Sequence, residues 1–147
     1  MVSLWTFLLL VHLSGLALGV GSATGKVVLL LKCIGDITFM PVYLKVVKPL
    51  TQLLVLGLIM MTLSGVTWLI LGYGFSTLMI VKLVLVGIVW ILGLIIDKIT
   101  EPKFIRLSPA AGEEPSQPFI SIKKQHLAME VIATLVFYII LILGILL

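Results

Sequence analysis

Charged residues are scarce in this chain, and their scarcity decides the class of protein. Only 11% of the 147 residues are charged, whereas 61% are hydrophobic. A water-soluble domain carries about a quarter charged residues, because those residues form its polar coat. So few charges cannot cover a soluble surface, and most of the outer face must contact lipid. The composition therefore predicts one integral membrane domain over 1–147, with the lipid bilayer as its first partner.

Cysteine, asparagine and basic clusters are also rare or absent, and each lack excludes a class of site. Cys33 is the single cysteine, which excludes an intramolecular disulfide and a multi-cysteine metal site. The chain has no asparagine, hence no N-glycosylation acceptor. Its net charge of +4 comes from basic residues beside hydrophobic segments. Since no basic patch with interleaved aromatic residues exists, the sequence predicts no nucleic-acid partner.

Four apolar runs are each long enough to cross a bilayer, which takes about 20 residues. The first run is longer than the core of a signal peptide and has no positive stretch before it, so we interpret it as an uncleaved helix. The short link at 72–74 predicts that the second and third helices are antiparallel neighbours. The fold class is therefore an all-α, four-transmembrane-helix bundle. The predicted helices cover about 4–32, 49–72, 75–97 and 126–147.

The basic residues predict the orientation of the bundle. All of them except Lys82 flank one of two polar connections, 33–48 and 98–125. The positive-inside rule then makes both connections cytoplasmic loops and places both termini outside the cell, in a multi-pass protein of the plasma membrane. The flanking residues are Lys26, Lys32, Lys45, Lys48, Lys98, Lys103, Arg106, Lys123 and Lys124.

Small residues recur at helical spacing and predict the faces on which the helices pack. Lipid provides little hydrophobic drive for helix association, so close approach at small residues takes its place. Such faces serve contacts within one chain or between chains, and a homo- or hetero-oligomer stays open. The predicted packing residues are Gly15, Gly19 and Ala23 on the first helix, Gly57 and Gly65 on the second and Gly93 on the third.

His12 and Lys82 are the ionisable residues that we expect deepest in the membrane. Each lies roughly 12 Å from the outer end of its helix. Burying such a group costs about 2.5–3.5 kcal/mol on insertion scales, so each is a candidate functional residue. Together they could bind an anionic ligand or cofactor, with His12 as a metal or haem-iron ligand. The alternative is that His12 bonds a neighbouring helix while Lys82 extends towards the interface.

A second set of ionisable residues is expected near the cytoplasmic ends of the first and fourth helices. Lys26 and Glu130 lie at similar depths, so we predict a structural ion pair between them. His126 and Glu130 are four residues apart, a spacing that can bind a metal. Two ligands do not make a metal site, however, and the positive end of the helix dipole already favours Glu130. We interpret this group as structural.

Two segments resemble known membrane families. The first is Leu9–Gly15 (Leu-Leu-Val-His-Leu-Ser-Gly) with the glycine-rich helix that follows, and the second is Met79–Val86, which contains Lys82. They are similar to the copper-resistance CopD-like proteins and to the HemJ-like membrane protoporphyrinogen oxidases, with many relatives of unassigned activity. The resemblance implies a four-helix bundle near a porphyrin, with His12 as a possible ligand of haem b and Lys82 supporting the pocket.

Three functional hypotheses follow from the sequence. The resemblance favours a haem- or porphyrin-associated membrane redox protein that uses His12 and Lys82. A small transporter or transporter subunit would use the same two residues to bind an anionic or protonatable cargo. A non-catalytic assembly subunit would instead use the small-residue faces for docking.

Overall fold

The computed structural model describes residues 3–72, 74–110 and 113–146, which form helices and no strand. Four helical spans are long and apolar enough to cross a membrane. The all-α, four-helix membrane fold is therefore confirmed. The helices are α1 (Leu4–Gly35), α2 (Met40–Ile70), α3 (Thr77–Ile95), α4 (Glu101–Leu107) and α5 (Gln117–Leu146); a 3₁₀ turn covers Ile37–Phe39 and a π-helical turn covers Ile96–Thr100.

Side-chain caps explain where the helices begin. Ser3 and Ser76 precede α1 and α3, and the hydroxyl of each accepts a hydrogen bond from the amide three residues ahead. Asp36 separates α1 from the 3₁₀ turn, where its carboxylate accepts bonds from both the hydroxyl and the amide of Thr38. These bonds hold the pKa of Asp36 below its ordinary value.

The helices extend further than hydropathy predicts at one end of the bundle. We call it the loop end, because the connections 36–39 and 108–116 lie there, and we call the opposite end the terminal end. The segments 33–48 and 98–125, predicted as loops, are mostly helical where the structure describes them. Pro41 occupies the first turn of α2, and Pro49, predicted for that position, lies inside the helix.

A cluster of buried apolar side chains explains the extra helical turns at the loop end. Its members come from α1, α2, α4 and α5, so the polar ends of these helices still have an apolar face to bury. Tertiary packing thus orders segments whose average hydropathy is that of a loop. The cluster consists of Leu30, Cys33, Met40, Tyr43, Val47, Phe104, Phe119 and Ile122.

The span Thr77–Leu107 continues from α3 into α4 through the π-helical turn Ile96–Thr100. A π turn inserts one residue into the helical repeat and rotates everything that follows, and it often occurs at functional sites. Here Ile96, Thr100 and Glu101 are all buried. The turn therefore directs a carboxylate into the bundle from a segment whose composition indicates a loop.

The helices pack unequally. The closest approach is between α1 and α2, where a Cβ added to Gly57 would lie 2.5 Å from the carbonyl oxygen of Gly15. α3 packs chiefly against α5, and within the described residues its backbone approaches α2 at few points. One of the links between α2 and α3 is a hydrogen bond from Trp90 Nε1 to Thr62 Oγ1 (3.1 Å). The short connection thus makes them sequential without packing them closely, and cavities lie between them.

The other predicted packing residues differ in their surroundings. Ala23 is buried, and a Cβ on Gly19 would lie 3.4 Å from the ring of Phe137. A Cβ on Gly65 would lie 3.9 Å from His12 Cε1, an ordinary contact distance, so this position packs beside the imidazole. A Cβ on Gly93 would meet no described atom within 4 Å, so Gly93 is not at a close helix contact in the described part of this chain, and its role in packing between chains stays a prediction.

Candidate functional site

Two polar sites lie inside the bundle. The first, near the terminal end, is the histidine–lysine cleft, defined by His12, Ser64, Trp68 and Lys82. The second, near the loop end, is the charge cluster, defined by Lys26, Glu101 and Glu130. Their chemistry differs, because the cleft opens onto cavities and its ammonium contacts no carboxylate of the described residues, whereas the charged groups of the cluster contact one another.

The hydrogen bonds of Ser64 determine the tautomer of His12. The serine hydroxyl donates to the carbonyl oxygens of Met60 (2.7 Å) and Met61 (3.2 Å) on its own helix. Its proton is therefore committed, and its oxygen acts as acceptor for His12 Nδ1 at 2.9 Å. The proton of the neutral imidazole must then reside on Nδ1. Its other nitrogen, Nε2, carries a lone pair that can bind a metal or a proton.

The indole of Trp68 flanks the His12 ring, with the ring centroids 5.2 Å apart and the planes tilted by 32°. A Cβ on Gly65, one turn before Trp68, would lie at ordinary contact distance from the imidazole. The ring is thus held from the α2 side by an aromatic neighbour and by the Ser64 bond. Such orientation of an imidazole through its other nitrogen is the arrangement seen around metal-ligating histidines.

Lys82 presents its ammonium to the same cleft from α3. A Cβ on Gly144 of α5 would lie 3.3 Å from Lys82 Nζ, so this glycine allows the ammonium to approach the helix. Within residues 3–72, 74–110 and 113–146, no carboxylate lies within 4 Å of it. A half-buried cation without a counter-charge is costly inside a membrane span and can be offset by a bound anion.

His12 and Lys82 line shared cavities. One of about 360 Å³ is bounded by both residues together with apolar side chains of α1 and α5, among them Leu16 and Ile140. A smaller one of about 70 Å³ continues between α2 and α3. The cleft therefore combines an apolar wall, one imidazole lone pair and one ammonium, which is the chemistry expected for an amphipathic anion.

Lys26 occupies the centre of the charge cluster. Its Nζ lies 2.6 Å from Glu130 Oε1, 2.8 Å from Glu101 Oε2 and 3.0 Å from Thr51 Oγ1. Its N–H groups donate hydrogen bonds to Glu101 and Thr51, whereas the contact with Glu130 is an ion pair in which Glu130 Oε1 has no hydrogen-bond partner. Lys26 and Glu130, predicted as an ion pair, are thus in direct contact, and Glu101 joins them from α4.

His126 adjoins the charge cluster and is completely buried. The Thr100 hydroxyl lies 3.4 Å from the Ile96 carbonyl oxygen and shares a hydrogen bond with His126 Nδ1 at 3.3 Å. Nε2 shares a hydrogen bond with the Tyr43 hydroxyl at 3.1 Å. The ring of Phe104 stacks on the imidazole at 4.9 Å. Both nitrogens of the neutral imidazole are therefore satisfied.

The donor atoms of Glu101, His126 and Glu130 lie within 4.8 Å of one another, a set that could hold a metal ion. Lys26 argues against that use, because its ammonium contacts both carboxylates at the position that a cation would take. His126 Nε2 is also hydrogen-bonded to the Tyr43 hydroxyl. A metal would have to displace two existing contacts and accept a positive neighbour.

The sequence predicts four of the principal site residues and misses Ser64 and Glu101. His12 and Lys82 line one cleft, and Lys26 contacts Glu130. Glu101 lies in a segment with several prolines, which favours a loop. The signal that could have revealed it is the helical spacing of Ile96, Thr100 and Phe104, all of which are buried beside it.

Comparison of the chain with protein-family models, curated proteins and solved structures gave no significant match. The likeness to the CopD-like and HemJ-like groups therefore depends on the residues of α1 and α3 alone. Functional inference must come from the geometry of the two sites.

Proposed function

We propose that this protein binds an amphipathic, anionic ligand in the histidine–lysine cleft, and that the ligand is haem b. One observation carries the proposal: the open lone pair of His12 and the uncompensated ammonium of Lys82 line the same apolar cavity. An iron porphyrin with carboxylate side chains presents the three complementary features, namely a metal, an anionic edge and an apolar face.

His12 fits the role of an axial ligand because its tautomer is already the correct one. The Ser64 oxygen holds the proton on Nδ1, so Nε2 needs no deprotonation before it binds iron. Histidine is a common axial ligand of haem iron. Outer-shell bonds of this kind raise ligand basicity and fix the ring, and their loss typically costs 10–100-fold in metal affinity.

Lys82 fits the role of an anion partner. Its ammonium lacks a carboxylate among the described residues, and Gly144 opens the space beside it. A carboxylate placed there would form a charge-assisted bond and remove an uncompensated charge from the membrane. The lysine would also orient an asymmetric ligand, because only its anionic edge gains from the contact.

Bound haem would supply one-electron redox chemistry, which is the chemistry of the cofactor. The protein contributes the ligand nitrogen of His12, the orientation set by Ser64, the counter-charge of Lys82 and apolar walls that exclude water. The positive-inside rule puts this cleft at the outer leaflet of the plasma membrane, with both termini outside. The resemblance to the HemJ-like group supports the same choice of ligand.

Titration of haem into the detergent-purified protein tests the proposal. We expect saturable binding with a Soret shift, abolished in His12→Ala and weakened at least tenfold in Lys82→Met. Lys98→Met is the matched control, because Lys98 is 73% exposed and lies outside the cleft. Equal affinity in Lys82→Met and Lys98→Met would contradict the role of Lys82, and binding unaffected by His12→Ala would contradict the ligand assignment.

A transporter for an anionic or protonatable cargo is the second candidate, favoured by the same unpaired ammonium. It predicts flux of a carboxylate cargo in proteoliposomes that Lys82→Met abolishes and that needs no haem. The third hypothesis, a docking subunit that uses its glycine faces, has less support. Gly15 and Gly57 already contact each other within the chain, so they are not available as an intermolecular face.

A further inference from the structure

The charge cluster takes no part in the proposed function and holds an unbalanced set of charges. Fourteen residues separate His12 from Lys26 on α1, so the two sites lie about 21 Å apart along the helix. Two carboxylates, Glu101 and Glu130, contact one ammonium. All three side chains are buried, with relative exposures of 6%, 2% and 2%.

The groups around the cluster do not restore the balance. His126 is completely buried and its two nitrogens bond the hydroxyl groups of Thr100 and Tyr43, which favours the neutral imidazole. Asp97 and Lys98, on the π-helical turn, pair with each other at 2.8 Å and cancel. With both carboxylates ionised, the cluster would retain one uncompensated negative charge. Buried groups avoid such a charge by neutralisation, which for a carboxylate means taking up a proton.

Glu130 is the carboxylate placed to take that proton. Glu101 Oε2 accepts bonds from both Lys26 and Thr51, whereas Glu130 Oε1 contacts Lys26 and has the imidazole nitrogen of His126 at 3.8 Å. Glu130 Oε1 is buried and has no hydrogen-bond partner among the described residues. Glu101, by contrast, does not line the adjacent cavity.

That cavity gives the cluster access to the loop end. It has a volume of about 190 Å³, enough for several waters. Glu130, Lys26 and Thr51 line its inner part, and Asp97 and Lys98 line it as well. Since the Asp97 and Lys98 side chains are 36% and 73% exposed, the cavity joins a buried carboxylate to a polar surface.

We propose that the charge cluster is a proton-binding site, in which Glu130 exchanges one proton with solution at the loop end through this cavity. A hydronium ion in the cavity transfers its proton to a Glu130 oxygen, leaving water and a neutral carboxylic acid. Lys26 and Glu101 then form a neutral ion pair beside it. The reverse step releases the proton and leaves the cluster with its negative charge. This inference is independent of the haem proposal.

Infrared spectroscopy of the protein in lipid vesicles tests the site. The band to measure is the carbonyl band of a protonated carboxylic acid. We expect the wild type to show one such band at neutral pH, which shifts in heavy water. Charge balance predicts that Glu130→Gln and Glu101→Gln each abolish the band, because the remaining carboxylate pairs with Lys26. Lys26→Met should increase the band about twofold, because both carboxylates then become neutral.

Asp97→Asn is the control, and it should leave the band unchanged because Asp97 is paired with Lys98. A wild-type spectrum without the band would overturn the proposal, and this measurement does not depend on whether any variant folds. Persistence of the band in Glu101→Gln would refute the charge balance. Stoichiometric Zn²⁺ binding that removes the wild-type band would overturn the proposal in favour of a metal site.

Discussion

Replacement of Lys26 by methionine tests how strongly the charge cluster holds the bundle together. Lys26 is 2% exposed, and its ammonium contacts two carboxylates and one hydroxyl. Methionine keeps most of the side-chain volume and removes the charge. Glu101 keeps its bond from Thr51 at 3.2 Å, but Glu130 Oε1 loses its only contact below the 3.8 Å to His126.

The expected decrease in the free energy of unfolding follows from the loss of that contact. Breaking a buried ion pair by removing one partner costs about 3–5 kcal/mol, because the remaining buried carboxylate is left uncompensated unless it takes up a proton, which is itself costly at neutral pH. Protonation of the second carboxylate limits the loss at low pH, so Lys26→Met should be less destabilising in acid than at neutral pH. The other buried interactions of the bundle stay in place.

Reversible unfolding in mixed detergent micelles, followed by circular dichroism, measures this free energy. Lys98→Met is the matched control, since its exposed pair with Asp97 should contribute at most about 1 kcal/mol. Equal unfolding free energies for Lys26→Met and Lys98→Met would refute the assignment of Lys26 to a buried ion-pair cluster.

Three further predictions test other contacts. Gly57→Ala should destabilise the bundle by about 1–3 kcal/mol, because the new Cβ meets the α1 backbone at 2.5 Å. Gly93→Ala, whose new Cβ meets no described atom, should leave the free energy of unfolding unchanged or raise it in the same assay. Equal losses of stability in Gly57→Ala and Gly93→Ala would contradict the packing. Ser64→Ala should weaken haem binding by about 10–100-fold while Thr67→Ala leaves it unchanged; equal affinities would refute the tautomer argument. Tyr43→Phe should lower the free energy of unfolding by about 1–3 kcal/mol, because the buried Nε2 of His126 loses its hydrogen-bond partner. An unchanged free energy of unfolding would show that water replaces the hydroxyl.

Apolar run length predicts the four spans, because each helix must satisfy its own backbone hydrogen bonds inside lipid. Hydropathy does not predict the helical turns at the loop end. There Tyr43, Phe104 and Phe119 pack with one another across α2, α4 and α5, and these contacts order segments that are too polar to form a span. Helix ends set by tertiary packing are not visible in a window of sequence.

The candidate sites also contain one contact that the sequence predicts and two features that depend on packing between helices. The contact between Lys26 and Glu130 is predictable, because it needs only depth along two helices. The approach of Glu101 requires the π-helical turn at Ile96–Thr100, whose rotation follows from packing. The tautomer of His12 likewise depends on Ser64 of another helix, so the sequence identifies the imidazole without the state of its nitrogens.

The most direct test of the cofactor proposal is the reduced-minus-oxidised absorption spectrum of the protein purified from haem-replete cells. The cleft geometry predicts a Soret band and reduced visible bands in the wild type, and their loss in His12→Ala. It also predicts that Glu130→Gln keeps these bands, since the charge cluster lies about 21 Å away. A flat wild-type spectrum, from protein that is folded by circular dichroism, would contradict the assignment of the cleft to haem.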